Sequence, residues 1–290
     1  MQKIENSKKR SIEVLVLSDI HLGTYGCHGK ELLKYLRSVK PKTVVLNGDI
    51  IDIWQFSKRY WPKSHMRVVH EIIKWVTKGV KVYYITGNHD EMLRKFAGFQ
   101  MGSLLIDNKI VLELDGQKAW FFHGDIFDVT MKHSKWLTKL GSHGYDLLIL
   151  INASCNWLSE KMGKGKMSIS KSIKNGVKKA VKFINDFEQV TADIAIMNGY
   201  DYVLCGHIHH PEIKMIKNDS GQVMYLNSGD WIENLTALEY NSGKWSLYQY
   251  NEKEFELEND DADSDDIVMK SNHEIFNQLL NDFKKLSSPY

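Results

Sequence analysis

Two short patterns, Asp19-Ile20-His21 and His207-Ile208-His209, each place two metal-capable side chains at alternate positions behind an apolar run. In an extended chain that spacing turns both side chains toward one face. Three further segments carry the same chemistry: Gly48-Asp49-Ile50-Ile51-Asp52, Gly87-Asn88-His89-Asp90 and His123-Gly124-Asp125. Any single member would read as a hydrogen-bonded core histidine or a turn-capping aspartate. Their combination points to a cation cage, with Asp19, His21, Asp49, Asn88, His123, His207 and His209 as the candidate ligands. Carboxylate, amide oxygen and imidazole suit a divalent ion such as manganese, iron or zinc. No cysteine stands among them, which argues against a structural zinc finger.

Such residues need elements that deliver them to one place. Apolar runs at 12–17, 43–46, 80–86, 119–122 and 202–205 each end at one of these segments, the pattern of buried strands feeding functional loops at one edge of a sheet. Helices are expected at 29–39 and 65–78, so the first half alternates strand and helix. Further strands are expected at 223–226, 235–240 and 244–248, with Asn241-Ser242-Gly243 as a hairpin turn. The fold expected from these is a layered α/β sandwich with mixed sheets.

The pattern changes between about 130 and 191. Trp136, Leu137, Leu140, Leu147, Ile151, Trp157 and Leu158 fall on apolar helical faces, and lysines are dense from Lys161 to Lys182. An inserted helical cap fits this pattern, as do ordinary core helices with solvated lysines; the sharper version of the cap is a lipid-facing lid. Residues 251–266 are acidic and read as a linker, and 267–290 as an amphipathic terminal helix or tail, leaving 1–250 as the main domain.

The 290 residues are 43% hydrophobic and 26% charged, enough for a sizeable core. A formal net charge of +2 does not imply a polyanion partner. Cys27, Cys155 and Cys205 are odd in number and lack paired spacing, which suits buried thiols in a reducing compartment better than disulfides. The apolar stretch at 147–151 is far too short to span a bilayer, and no signal peptide is evident. A cytoplasmic protein is expected, with peripheral contact at the inner face of the membrane left open.

The ordered series Asp-x-His, Gly-Asp, Gly-Asn-His-Asp, His-Gly-Asp and Gly-His-x-His resembles the calcineurin-like metallophosphoesterase superfamily over roughly Val14 to Trp231. The resemblance implies a four-layer αββα sandwich and two metal ions. Asp19, His21 and His209 would hold one ion, Asn88, His123 and His207 the other, and Asp49 would bridge them. Two ions about 3.5–4 Å apart neutralise phosphate oxygens and activate the attacking water. His89 would protonate the leaving oxygen, with Asp90 orienting its ring. Manganese is the expected ion, with iron or zinc as alternatives.

Ser18-Asp19-Ile20-His21-Leu22-Gly23, Asn47-Gly48-Asp49-Ile50-Ile51-Asp52-Ile53-Trp54 and Ser228-Gly229-Asp230-Trp231 are similar to the UDP-2,3-diacylglucosamine pyrophosphatases of lipid A synthesis and their relatives. That implies hydrolysis of a pyrophosphate to release UMP and a diacylglucosamine 1-phosphate. One departure is His89, where the best-known pyrophosphatases carry arginine, so a related branch acting on another nucleotide or lipid phosphate is the alternative. Arg59, Lys63, Arg67 and Arg94 are the candidate phosphate grips. A nuclease would need a continuous basic and aromatic track, of which the lysines at 161–182 supply half. A non-catalytic binding module would not need the complete ligand series.

Overall fold

The computed structural model describes residues 9–54, 60–128 and 170–255. The chain divides into two compact units, Met1–Gly124 with Thr191–Tyr290, and Asp125–Val190. Arg59, Cys155 and most of the expected cap, including Trp136, Leu140 and Trp157, lie outside the described residues, as do 256–290.

The larger unit is built on two mixed sheets. The first contains β1 (Arg10–Leu17), β2 (Val39–Asn47), β3 (Lys81–Ile85), β4 (Phe99–Met101), β5 (Leu104–Asp107), β11 (Thr236–Asn241) and β12 (Lys244–Gln249). Its spatial order is β12-β11-β1-β2-β3-β5-β4. The second holds β6 (Lys109–Leu114), β7 (Gln117–Phe122), β8 (Tyr202–Cys205), β9 (Glu212–Asn218) and β10 (Gly221–Asn227), in the order β6-β7-β8-β10-β9. The functional strands run parallel: β1 with β2, β2 with β3, β7 with β8, and β8 with β10. Parallel strands bring their carboxyl ends to a common edge, where α/β folds place ligands.

Alternation along these strands divides the core. Leu15, Leu17, Val44, Leu46 and Val82 face helices α1 (Gly29–Ser38) and α2 (Lys63–Thr77). Val14, Val16, Val45, Ile85, Leu238 and Tyr240 face the other way and meet Ala119, Phe121, Tyr202, Leu204 and Leu226 of the second sheet. On the outer face of that sheet lie the last turns of α3 (Ser170–Met197), where Asn218 Nδ2 donates to Asp193 Oδ1 at 2.7 Å. The layers are therefore helix, sheet, sheet, helix. Burying one large aliphatic side chain is worth about 1.5–3 kcal/mol, so two-sided burial of the central strands is what fixes their register.

The expected strands and both early helices are present within one to four residues. The hairpin turns at Ser242 (φ 49°) and Gly243 (φ 77°), the two positive φ values that a two-residue type I′ turn requires. Strands β4, β5, β6 and β9 are not among the expected ones; their residues are half-buried or exposed. The first residues of the expected linker, 251–255, pack on the larger unit. Residues Glu252–Glu254 form a 3₁₀ turn, and Phe255 is buried, its ring stacked on Tyr250 at 5.1 Å. Cys27 and Cys205 are buried. Among the described residues, no helix is long and apolar enough to cross a membrane.

Candidate metal centre

Each candidate ligand stands just past a strand end. β1 leads to Asp19 and His21, β2 to Asp49, β3 to Asn88 and His89, β7 to His123, and β8 to His207 and His209. Asp19, His21, Asp49, His207 and His209 all have φ between 50° and 68°. Only three other non-glycine residues among those described share that region, so backbone strain concentrates here. An L-residue costs about 1–2 kcal/mol in this conformation, and it persists where surrounding contacts over-determine it.

The ligand atoms fall into sets within 4.8 Å of one another: Asp19, His21 and His209 form one, and Asp49, His123 and His207 another. His209 Nε2 lies 3.2 Å from Asp19 Oδ1, and His123 Nε2 lies 3.1 Å from Asp49 Oδ2. Asn88 Oδ1 is 3.1 Å from His207 Nδ1, which joins Asn88 to the second set. His21 Nε2 is buried without a hydrogen-bond partner, 4.0 Å from Asp49 Oδ2. A buried imidazole nitrogen left in this way, among carboxylates, fits a metal ion better than it fits a packed core. The third set, His21, Asp49 and His89, overlaps both others. Its His89 already uses Nδ1 in a contact with Asp52 Oδ2 at 2.8 Å, so we leave His89 out of the ligand sets.

Close approach of backbones holds the cage shut. A Cβ on Gly206 would stand 2.5 Å from Asp19 Oδ2 and 2.8 Å from Ser18 Cβ. The space around Gly87 is equally filled, by Asp49 and His123. The amide of His207 donates to both Asp19 oxygens at 3.1 Å, and that of His89 to Asp49 Oδ1 at 2.8 Å. His123 Nδ1 lies 2.9 Å from the Asn47 carbonyl, which accepts its proton and turns Nε2 toward Asp49.

The electrostatics follow from burial opposed by pairing. Burial would raise the Asp19 carboxyl, but the charge and hydrogen bond of His209 hold it below the usual range. Burial likewise opposes ionisation of Asp49, and His123, then His21 and His89, overcome it and hold the carboxyl well below that range. Burial lowers His209, yet Asp19 and then Asp230 raise it to about 9 in the metal-free protein. His89 is raised above its ordinary value, because Asp52 and Asp49 outweigh its burial.

Asp90 does not orient the His89 ring. Its carboxylate accepts from the Gly87 amide at 2.6 Å, the Ile50 amide at 3.0 Å and the Tyr84 hydroxyl at 2.6 Å, tying the β2 and β3 loops together. Asp52 takes the position beside His89 instead, and also lies 3.5 Å from His21 Nδ1. Asp52 was visible in the sequence as the last residue of Gly-Asp-Ile-Ile-Asp, but the adjacent Asp90 was the nearer choice along the chain. Lys63 and Arg67 lie on the first turns of α2, and Arg94 on the exposed 3₁₀ turn Glu91–Phe96 that follows His89.

The profile of calcineurin-like phosphoesterases matches residues 12–211, more than half of the chain. The chain belongs to the calcineurin-like phosphoesterase family. It is a hydrolase of phosphoesters, and the family implies divalent metal ions, for which the Asp and His sets above are suited. Similar proteins include a UDP-2,3-diacylglucosamine hydrolase of Aliivibrio fischeri (strain MJ11), 24% identical and covering 83% of this chain and 99% of that one. Another of the same description, from Vibrio cholerae serotype O1 (strain ATCC 39315), is 25% identical and covers 79% and 95%. Among solved structures, an archaeal phosphodiesterase covers 81% of this phosphoesterase and 98% of its own chain, at 16% identity and a TM-score of 0.39.

Proposed function

We propose that this phosphoesterase uses two divalent ions, manganese first and iron or zinc as alternatives, to hydrolyse the pyrophosphate of UDP-2,3-diacylglucosamine or a similar nucleotide-lipid. The products would be UMP and a diacylglucosamine 1-phosphate. The observation that carries the two-metal reading is the convergence of two ligand sets on the carboxyl ends of parallel strands. Asp19, His21 and His209 would hold one ion, Asn88, His123 and His207 the other, with Asp49 between them. When bound, such a pair neutralises phosphate oxygens and makes water a competent nucleophile near neutral pH.

The chain's own residues supply the rest. Asp52 accepts from His89 Nδ1–H, so the second proton of the cationic ring sits on Nε2, free for donation. As water adds to phosphorus and the bridging P–O bond breaks, His89 Nε2–H passes its proton to the departing oxygen. Asp52 and Asp49 outweigh burial and raise His89 above its ordinary value, which favours the protonated donor. Asp90 positions the loop that carries Asn88 and His89 rather than taking part in proton transfer.

The substrate class rests on the relatives' names and their near-complete coverage. Arg59, Lys63, Arg67 and Arg94 are assigned to phosphate contacts, and residues 130–191 to a cap that meets acyl chains at the inner membrane face. Residues 256–266 are read as a solvated linker and 267–290 as a terminal helix. Purified protein with manganese should release UMP from UDP-2,3-diacylglucosamine. No UMP across manganese, iron and zinc, with good turnover of a simple phosphodiester, would replace the nucleotide-lipid by another phosphodiester.

A further inference from the structure

The two ligand sets are not braced alike. The loop Ser228–Asn234, which follows β10, touches Asp19 and His209 of the first set at three points and the adjacent Ser18 at two. Ser228 Oγ lies 2.6 Å from Ser18 Oγ, and Ser18 Oγ donates to the Gly229 carbonyl at 3.0 Å. The Trp231 amide donates to the carbonyl of Asp19 at 3.1 Å. Asn234 Nδ2 donates to the carbonyl of His209 at 3.0 Å. Asp230 Oδ2 faces His209 Nδ1 at 3.8 Å, on the side of the ring away from the Nε2 that meets Asp19.

Asp230 is fully buried, and its bonds make it rigid. Oδ1 accepts from the amides of Ile232, Glu233 and Asn234 at 2.7, 2.5 and 3.2 Å. Oδ2 accepts from Asn234 Nδ2 at 2.5 Å. The two N–H bonds of the Asn234 amide are therefore divided between the Asp230 carboxylate and the His209 backbone. His209 sits at φ 51°, a conformation that needs such outside support.

We infer that Asp230 and Asn234 are positioning residues for the metal position formed by Asp19, His21 and His209, and that this loop sets the occupancy of that position independently of the other. The inference rests on the two-ion reading above. A carboxylate behind a metal-binding imidazole fixes ring orientation and raises its basicity, and its loss costs 10–100-fold in metal affinity, by about that range in other proteins. In this chain the loss should fall on one ion of the two. On the other set, His123 Nδ1 meets the Asn47 carbonyl, His207 Nδ1 meets Asn88 Oδ1, and the His207 amide donates to Asp19.

Full-length wild type, Asp230→Asn, Asp230→Ala and Asn234→Ala should be compared by manganese titration, metal analysis after dialysis, and electron paramagnetic resonance. Wild type is expected to bind two ions per chain with the spectrum of a coupled pair. Asp230→Ala and Asn234→Ala should retain one ion at wild-type affinity and bind the second 10–100-fold more weakly, with the six-line spectrum of an isolated ion. Asp230→Asn, which keeps an acceptor for the loop amides, should lie between. Two ions bound by both alanine variants within threefold of wild-type affinity would overturn the inference and leave the two-ion reading intact. Fewer than two ions in wild type would overturn both. Asn234→Ala keeps the test decisive if Asp230→Ala does not fold.

Discussion

Gly87 isolates the geometry of the centre from its chemistry. It does not have a positive φ, so alanine meets no backbone strain there and acts only through its added carbon. That Cβ would stand 2.7 Å from the Asp49 backbone nitrogen and 2.8 Å from His123 Cδ2, and closer still to Asp49 Oδ1. Ordinary carbon contacts lie at about 3.5–4.0 Å, so the neighbours must retreat by roughly 0.7 Å or more. One of them is backbone, and the other is a buried ring held by Asn47, so no flexible tip absorbs the movement. Misplacement on the order of 1 Å costs about a hundredfold in rate, or about 2.7 kcal/mol of transition-state stabilisation. Gly87→Ala should therefore lower kcat/KM on a chromogenic phosphodiester about a hundredfold and weaken manganese binding, with native circular dichroism. Gly79→Ala is the control. Its φ is 79° with nothing within 4 Å, so it should cost about 1–2 kcal/mol of stability and leave kcat unchanged. A folded Gly87→Ala protein with kcat/KM within threefold of wild type would refute the packing argument.

His89→Asn should reduce kcat by about 10²–10⁴ while two ions remain bound, and Asp52→Asn should weaken the alkaline limb of the pH–rate profile in the same direction; loss of metal in His89→Asn would instead make His89 a ligand. In the metal-free protein, His209 is raised to about 9, so the stability it contributes is fully present below its unfolded value near 6.5 and is lost as pH rises through 9. The lowered Asp19 and Asp49 carboxyls contribute stability above about pH 4 that is lost as pH falls toward their folded values. Melting temperatures in chelator should thus fall on both sides of a maximum near pH 4–6.5. The alkaline fall should shrink in His209→Asn; an equal fall in wild type and variant would remove His209 as its source.

Much of the centre was legible because each ligand follows an apolar strand directly. Asp19, Asp49, Asn88, His123 and His207 all stand within three residues of a β-strand end, and a strand end is marked by the switch from apolar to polar residues. Strands β4, β5, β6 and β9 are less legible, because their residues are half-buried or exposed and none of them leads to a ligand of the two sets. Acidic neighbours along the chain give Phe255 the pattern of a linker, whereas its ring packs on Tyr250, five residues earlier.

The sequence by itself determined the donor types, their order and the family of chemistry, because those depend on residue identity and short spacing. Only the tertiary structure decided who supports whom. Asp90 lies next to His89 in the chain, yet its carboxylate is consumed by two amides and a hydroxyl. Asp52, 37 residues away, reaches the ring because β2 and β3 are neighbours and their loops cross. Asp230 and Asn234 reach His209 for the same reason, through β8 and β10 lying side by side. Hydrogen bonds depend on distances of a few tenths of an ångström, and sheet pairing sets those distances between residues that are remote along the chain.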